Sequence, residues 1–431
     1  YVMLTPVAAW GMQEVLISEY TRRSAADQRA LAGAGLSIRM LIRRAVALID
    51  VLAACWFEPE PELRLLIIIY SQGILVRGIG NWFCGLFIAQ EKSIYWLSII
   101  IPCLTLEVAL ALLLAYQGQG LMAIAIAQCA VWWLTALLAW LTYRARFEPV
   151  HLRLDKQLVS FYLRAGITLA AASLILGCLG PGLLVVYRYL IPDLTTLGEI
   201  AFVLQLFAML SLFVKVVSNT ALPPLSRAAM TGDSRLSWFG ASVWQQSFYL
   251  GGAAFLACFW LLEPLVIWAV GDDFAGAARL FADYSWILIA LFLMHGLRLV
   301  LITLRHQHLY LLAILLGLAA LALQLIYHDL AGQLDNRRLL LSLGGAYVVI
   351  AAMLLKFAWG DHGRIAVSDL TLPPFVLVVS VAAANSLAGS APWLAAITGV
   401  LPLLAASALS LAKAKRAALR SNAPAPPTSA A

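Results

Sequence analysis

The segment IAFVLQLFAMLSLFVKVVSNTALPPLSRAAMTGD, residues 200–233, begins as an apolar run of membrane-spanning length with one lysine in its last third. The run ends near Asn219 and the pair Pro223 and Pro224, beyond which the chain becomes polar. A charged side chain at that depth costs free energy unless a partner, a wet cavity or an interface receives it. Lys215 therefore either extends to the nearer interface, as lysines near helix ends do, or faces a wet cavity and meets an anion.

The rest of the chain has the same character. Its 431 residues are 63% hydrophobic and 12% charged, and the mean hydropathy is +0.89. A soluble fold needs more polar surface than this, so the chain is an integral membrane protein. The net charge of +7 is scattered and forms no basic block with interleaved aromatics, which argues against nucleic acid as a partner. The six cysteines stand singly in apolar runs and indicate neither a disulfide framework nor a metal site.

Apolar blocks long enough to cross about 30 Å of hydrocarbon recur from end to end. They predict about thirteen helical spans, at residues 1–18, 36–57, 64–88, 94–116, 121–142, 160–190, 197–219, 239–270, 280–303, 309–327, 339–358, 371–389 and 392–412. With the loop after the first span in the cytoplasm, alternation places nearly all loop Lys and Arg on that side, and only Arg279, Arg337 and Arg338 violate the pattern. Cytoplasmic loops are the basic ones in membrane proteins, so the C-terminus is also predicted to be cytoplasmic.

The loops divide the spans into groups. Residues 1–142 are predicted to form an N-terminal helical lobe, and the basic stretch 143–157 a cytoplasmic linker. Residues 158–358 then form a C-terminal lobe, and residues 366–412 two additional transmembrane helices. The tail 413–431 is basic and then rich in Pro, Ala and Ser, a composition typical of disorder.

Ionisable residues inside spans are the strongest functional signal, because each one needs a partner, a wet cavity or an interface. Arg39, Arg43 and Asp50 are separated by four and seven residues, which places them within about 40° on one helical face. Other charged or titratable side chains fall within the remaining spans, namely Glu14, Glu19, Arg77, Glu107, Arg164, Arg188, Lys215, Glu263, Asp283, His295 and Arg298.

Two interpretations of these charges stay open. In the first, they pair with one another, for example Glu14 with Arg39 or Arg43, and Glu107 with Arg77. In the second, an excess of cations lines a positive cavity that binds an anionic head group, because guanidinium groups match phosphate oxygens and stay charged. The predicted cavity residues are Arg39, Arg43, Arg77, Arg188, Lys215 and Arg298, and Glu14, Asp50 and Asp283 are candidates for coupling to protons or sodium.

Gly180, Pro181 and Gly182 interrupt the span at 160–190. Proline lacks the backbone donor and clashes with the preceding turn, so the helix must break or kink there. The break is either a packing kink or a hinge for a transport cycle, since discontinuous helices are frequent at transporter sites.

Two short segments carry a family resemblance. NTALPPLSRA at 219–228, followed by EPLVIWAVGDDFAGAARLF at 263–281, resembles the Wzx-type lipid-linked oligosaccharide flippases of the MOP exporter superfamily. In that family a helix ends in a similar "lP.ls" segment and the next pair is joined by a "G..f..a" turn, which Gly271, Phe274 and Ala277 or Ala278 fit. The opening LTPVAAWGMQE resembles the family's second helix, so we expect that a first helix is missing and that the full count is fourteen.

The resemblance implies an all-α polytopic protein with two six-helix bundles and two C-terminal helices, without a cofactor or a metal. It implies a non-enzymatic flippase that moves undecaprenyl-diphosphate-linked oligosaccharide, an O-antigen or exopolysaccharide repeat unit, across the bacterial inner membrane by alternating access. Membrane lipid and polysaccharide polymerase or assembly proteins would be its partners.

Three alternatives remain. A MATE-like small-molecule exporter would need an acidic pocket for cationic substrates. A glycan polymerase or ligase would need a large periplasmic loop, and the longest outward loop is DLAGQLDNRR, residues 329–338. A scaffold in a polysaccharide synthesis complex would use buried charges only to join helices.

Overall fold

The computed structural model of the chain describes residues 4–20, 23–190, 193–230, 235–362, 367–387 and 392–421. Within these ranges the regular structure is entirely helical. The helices are α1 (Leu4–Ala9), α2 (Met12–Tyr20), α3 (Ala25–Phe57), α4 (Pro61–Ala89), α5 (Ser93–Tyr116), α6 (Leu121–Arg146), α7 (Lys156–Leu179), α8 (Pro181–Leu190), α9 (Leu194–Met230), α10 (Arg235–Val270), a 3₁₀ turn (Asp272–Phe274), α11 (Ala275–Tyr284), α12 (Ile287–Thr303), α13 (Gln307–Leu330), α14 (Asn336–His362), α15 (Val367–Leu387) and α16 (Pro392–Ser421).

Each of the predicted spans coincides with a helix or with a pair of helices, and the all-α polytopic fold is confirmed. Among the described residues, eight helices are long and apolar enough to cross a membrane. The segment Asp272–Tyr284 and α12 add a ninth if this pair, bent by 60°, is one span. The remaining helices are shorter or carry more charge, as α3 does.

Three predicted spans are broken into two helices. The span 1–18 breaks at Trp10 and Gly11, which have φ of 49° and 60°. A β-carbon on Gly11 would lie 2.4 Å from Leu169 Cβ, so glycine is needed there both for its backbone conformation and for the approach of α7. The span 160–190 breaks at Gly180, as predicted, and the span 280–303 breaks between α11 and α12.

The chain packs as two compact units. Unit 1 comprises Tyr1–Leu183 and Asn219–Met230. In it α4 packs against α3 and α6, α5 packs against α6, and α7 packs against α1, α2 and α3. Its largest fully buried side chains include Trp82 and Tyr162, whose rings meet edge to face at 6.2 Å.

Unit 2 comprises Leu184–Ser218 and Thr231–Ala431. Its centre is α12, which is buried along its whole length and packs against α10 and α14. Helix α16 packs against α10 and α15. Ser407 and Gln246 exchange two hydrogen bonds across the α10–α16 contact, at 2.5 and 2.9 Å. Such side-chain bonds between helices are worth about 0.6 to 2 kcal/mol each in lipid.

The boundary between the units differs from the predicted linker at 143–157. The boundary falls after Leu183, because α7 packs with the first helices of the chain. The loop after α6 lies against α3, where a β-carbon on Gly33 would be 2.1 Å from the His151 carbonyl oxygen. The Arg153 amide also donates to Ser37 Oγ at 3.1 Å. This stretch is therefore a packed part of unit 1.

The tail also differs in part from its prediction. Helix α16 continues to Ser421, beyond the predicted start of disorder at residue 413. The sequence KAKRAALR that extends it consists of strong helix formers. Residues 422–431 lie outside the described part of the chain.

Candidate functional site

Two arginines on α3 are buried inside unit 1. Arg39 and Arg43 are each 2% exposed, and they lie one turn apart on one face, as their spacing predicts. They line a cavity of about 120 Å³ between α3, α4 and α6. Its lining is Leu36, Arg39, Met40, Arg43, Arg44, Leu75, Gly78, Ile79 and Trp133. We call this space the arginine cavity.

Arg43 reaches α4 through a gap that glycine leaves. Its Nη1 donates a hydrogen bond to the backbone carbonyl of Ile74. A β-carbon on Gly78 would lie 2.2 Å from Arg43 Cδ and 2.5 Å from Cζ. Any larger residue at position 78 would therefore occupy the space that the guanidinium group uses.

Arg39 lies against aromatic side chains. Its guanidinium carbon is 5.6 Å from the centre of the Trp82 ring, within the range of a cation–π interaction. Trp82 fits beside α3 because Gly35 is there, since a β-carbon on Gly35 would lie 2.3 Å from the indole. The Glu14 carboxylate of α2 is the nearby opposite charge that acts on Arg39.

Two hydrogen-bond donors of Arg39 are unsatisfied among the described residues. Its Nε and Nη1 atoms are buried and have no hydrogen-bond partner within the described part of the chain. Buried donors almost always have a hydrogen-bond acceptor in native proteins, so two guanidinium donors without an acceptor need an explanation. An anionic ligand in the arginine cavity would supply the missing acceptors.

The candidate acids occupy different places. Asp50 is buried on the same face of α3 and accepts a hydrogen bond of 2.6 Å from Ser71 Oγ of α4. Glu14 is buried on α2, close enough to interact with Arg39. Asp283 lies on α11 in unit 2 and is exposed. Glu14 and Asp50 are thus near the arginines within unit 1.

Arg77 is not in the arginine cavity. Its guanidinium lies 3.6 Å from the Glu107 carboxylate and 3.9 Å from the centre of the Trp132 ring, and its side chain is 44% exposed. Arg77 immediately precedes Gly78, so it points about 100° away from the cavity around α4. The pairing interpretation predicted the contact with Glu107, and the structure contains it.

The remaining candidates belong to the second half of the chain. Arg298 is buried on α12, one turn after the buried His295. Arg188 lies on α8 and Lys215 on α9, and the side chains of both lie outside the described part of the structure.

The predicted break in the span 160–190 is present. Helix α7 ends at Leu179, Gly180 has φ of −105° and ψ of −107°, and Pro181 is the first residue of α8. Gly182 follows in α8, close to the boundary between the units after Leu183.

Comparison with known proteins relates the fold to transporters. No protein-family model matches the sequence, and neither does any curated protein. The structure is similar to that of the eukaryotic MATE transporter AtDTX14, with a TM-score of 0.64, 14% identity and 83% of both chains covered. It is also similar to a MOP superfamily transporter from Pyrococcus furiosus, with a TM-score of 0.65, 13% identity and 84% of both chains covered. The lipid II flippase MurJ in an inward closed conformation gives a TM-score of 0.56 at 10% identity and 96% coverage of both chains. The chain therefore has the all-α fold of MOP-type transporters.

Proposed function

We propose that this chain is a flippase that moves a polyprenyl-diphosphate-linked glycan, such as an undecaprenyl-diphosphate-linked repeat unit, across the bacterial inner membrane by alternating access. The observation that carries the proposal is the pair of buried arginines on α3, with unpaired donors on Arg39. Burying a cation in a membrane protein is costly, and such residues face the protein interior or a wet cavity and mark substrate pathways.

The chemistry of the arginine cavity fits a phosphate group. A guanidinium stays protonated at any relevant pH and donates two parallel hydrogen bonds to phosphate oxygens. The cavity volume of about 120 Å³ is well below the range of about 300–1,000 Å³ that is typical of ligand pockets. The space beside the arginines therefore suits a small anionic group, and the glycan and the prenyl chain would lie elsewhere.

Candidate residues from the rest of the chain complete the proposal. Arg188, Lys215 and Arg298 are proposed to contact the diphosphate at other stages of transport, and Arg77 to join α4 to α5 through Glu107. Glu14, Asp50 and Asp283 are proposed for ion coupling. Gly180, Pro181 and Gly182 are proposed as a hinge.

The similar structures are compatible with this function. MurJ is described as a lipid II flippase, so the fold serves a lipid-linked substrate in that protein. For the Pyrococcus furiosus transporter, reverse polarity of the binding pocket suggested a different function. The likeness to MATE transporters favours a second candidate, export of a small molecule. Buried arginines favour an anion over the cation that an acidic pocket would bind.

Complementation of cells that lack the chain tests the proposal. We expect lipid-linked oligosaccharide to accumulate on the cytoplasmic leaflet, and the wild-type chain to clear it. Arg43→Gln should fail to clear it at normal protein level. The matched control is Arg64→Gln, because Arg64 lies in the first turn of α4 and donates to the Glu58 carbonyl at 2.8 Å, away from the cavity.

The alternatives give different results. An absence of lipid-linked intermediate would rule out flipping, and efflux of a small anion restored by the wild type would support the exporter. Normal translocation with altered glycan length would favour a component of the synthesis complex.

A further inference from the structure

A second cavity lies at one end of unit 1, where α2, α4 and α6 end and α3 begins. Its volume is about 520 Å³, against about 120 Å³ for the arginine cavity, and it falls within the range of about 300–1,000 Å³ that is typical of ligand pockets. The loop that follows α6 closes one side. The two cavities share no lining residue, so this one is a separate site.

Amide and hydroxyl groups form the centre of its wall. Gln90 Nε2 donates to the Tyr20 hydroxyl at 3.0 Å and to the Tyr143 hydroxyl at 3.1 Å. Gln90 Oε1 has no hydrogen-bond partner among the described residues. The wall thus holds a preformed polar cluster in which one amide oxygen still lacks a donor within the described ranges.

The charges in the lining argue against an anionic ligand. Arg29 Nη1 lies 2.6 Å from Glu148 Oε2, so the one arginine in the lining already faces a carboxylate. Glu91 adds a second carboxylate to the same wall. Phosphate, which the arginine cavity suits, would meet more negative than positive charge here.

An aromatic surface lies beside the polar cluster. The Phe147 ring stacks on Tyr143 with a centroid distance of 5.1 Å and an interplanar angle of 26°. Phe147 is held in place by edge contacts with Phe87 and Tyr95, at 5.8 Å each. Tyr143 and Phe147 both line the cavity, so apolar ring atoms and hydrogen-bonding groups share one wall.

We propose that this cavity binds a neutral saccharide. Sugar rings combine apolar C–H faces, which pack on aromatic rings, with hydroxyls that both donate and accept hydrogen bonds, which suits the Gln90 amide, the tyrosine hydroxyls and the carboxylates. Arg29, Arg144 and Arg146 lie at this end of unit 1, and basic ends are cytoplasmic in membrane proteins. A role of this cavity as the glycan entry site of a flippase rests on the function proposed above. The proposal that the cavity binds a saccharide does not depend on that function.

Binding by the purified full chain in lipid nanodiscs tests this inference. Saturation-transfer NMR with glucose, galactose, N-acetylglucosamine and lactose should give a saturable signal for at least one sugar. Gln90→Leu should weaken binding about tenfold or more, and Tyr143→Phe, which removes one oxygen atom and is least disruptive to folding, should weaken it in the same direction. The matched controls are Gln128→Leu and Tyr70→Phe, because Tyr70 donates to Gln128 Oε1 at 2.7 Å in the same unit but outside the cavity.

A parallel titration with inorganic pyrophosphate separates the two proposals. Arg39→Gln with Arg43→Gln should abolish pyrophosphate binding and leave the sugar signal unchanged. Pyrophosphate binding without any sugar signal would overturn the saccharide site alone, and sugar binding without pyrophosphate binding would overturn the diphosphate site alone. Preference for a quaternary amine over every sugar, or equal losses in the Gln128 and Tyr70 variants, would also overturn the saccharide site.

Discussion

Gly78 of α4 lies so close to Arg43 of α3 that a β-carbon on it would be 2.2 Å from Arg43 Cδ. The absence of a side chain at position 78 is what lets a buried guanidinium cross from one helix to the other and reach the Ile74 carbonyl. Gly80, two residues later, has ordinary space around it, since the nearest atom to its β-carbon would be Ala136 Cα at 3.8 Å. The two glycines therefore offer a direct test of the Arg43 position.

Gly78→Ala should displace Arg43 and lower transport about tenfold or more. Overpacking of this kind also costs about 1–3 kcal/mol of stability, because the neighbours must shift. Gly80→Ala should leave both properties near the wild-type values. Transport assays and thermal unfolding in detergent measure the two effects, and equal transport by the two variants would contradict the assigned role of Arg43.

Glu14 and Arg39 should be energetically coupled. Both side chains are buried, and the opposite charge of Glu14 acts on Arg39, so removing either one leaves the other with less compensation. We expect Glu14→Gln and Arg39→Met each to lower the unfolding free energy, and the double variant to lower it by about 0.5–3 kcal/mol less than the sum. Transport should remain lost in the double variant. Additive losses in a double-mutant cycle would show that the two residues act independently.

Arg77 and Glu107 should tolerate an exchange of charge. Arg77→Glu alone places two carboxylates within a few ångströms, so the amount of folded protein should fall. Arg77→Glu combined with Glu107→Arg should restore folded protein and transport, as measured by membrane yield and glycan export. Restored yield without transport would instead assign Arg77 to substrate binding, as its depth in the membrane first suggested.

Pro181 should matter for transport rate more than for stability. It begins α8 directly after the break at Gly180, at a helix position where the missing backbone donor is not needed. Pro181→Ala permits a more continuous helix from α7 into α8, so a hinge would stiffen and transport would slow several-fold at normal protein level. A rate equal to the wild-type rate in reconstituted vesicles would identify the break as a packing kink.

Asp193 should titrate below the ordinary aspartate range. It precedes α9 and accepts hydrogen bonds from the Thr195 and Thr196 amides at 3.2 and 3.1 Å and from the Thr196 hydroxyl. These bonds favour the charged form, so the pKa of the Asp193 carboxyl is lowered, with the Thr196 hydroxyl as the largest cause. Because the folded pKa is depressed, the stabilisation is present above the unfolded pKa and is lost as the pH falls through the folded pKa.

Carbon NMR titration of labelled aspartate measures this pKa. Asp193→Asn should keep the cap and remove its pH dependence, because asparagine is an equally good helix cap. A titration midpoint at or above about 3.9 would contradict the prediction.

Hydropathy predicts most of the fold because the length and apolarity of a membrane helix can be read from its own sequence, without knowledge of its neighbours. The break at Gly180 was also predictable, since Pro181 imposes it locally. The breaks at Trp10 and between α11 and α12 were missed. No proline lies at either break, and the Gly11 conformation depends on how closely α7 approaches.

Of the site, spacing alone placed Arg39, Arg43 and Asp50 on one buried face. The sequence could not show which neighbour each arginine meets, because that depends on how α4 is rotated against α3. The sequence therefore predicts both Arg77 and Arg43 as cavity residues. In the structure Arg77 is rotated by one residue around α4 and contacts Glu107 instead. The roles of Gly35, Gly78 and Trp82 are likewise set by contacts between helices.

The length of α3 has an electrical consequence. Its 33 residues extend about 50 Å, and Arg39 and Arg43 each lie about 21 Å from one end and about 27 Å from the other. If α3 crosses the membrane, a phosphate that moves from the cytoplasm to the two arginines crosses about half of the transmembrane voltage. When the cytoplasm is negative, this movement is favourable by about 1.2 kcal/mol per negative charge per 100 mV. The head group's own charge would then help to drive the outward step, and collapsing the voltage would slow it.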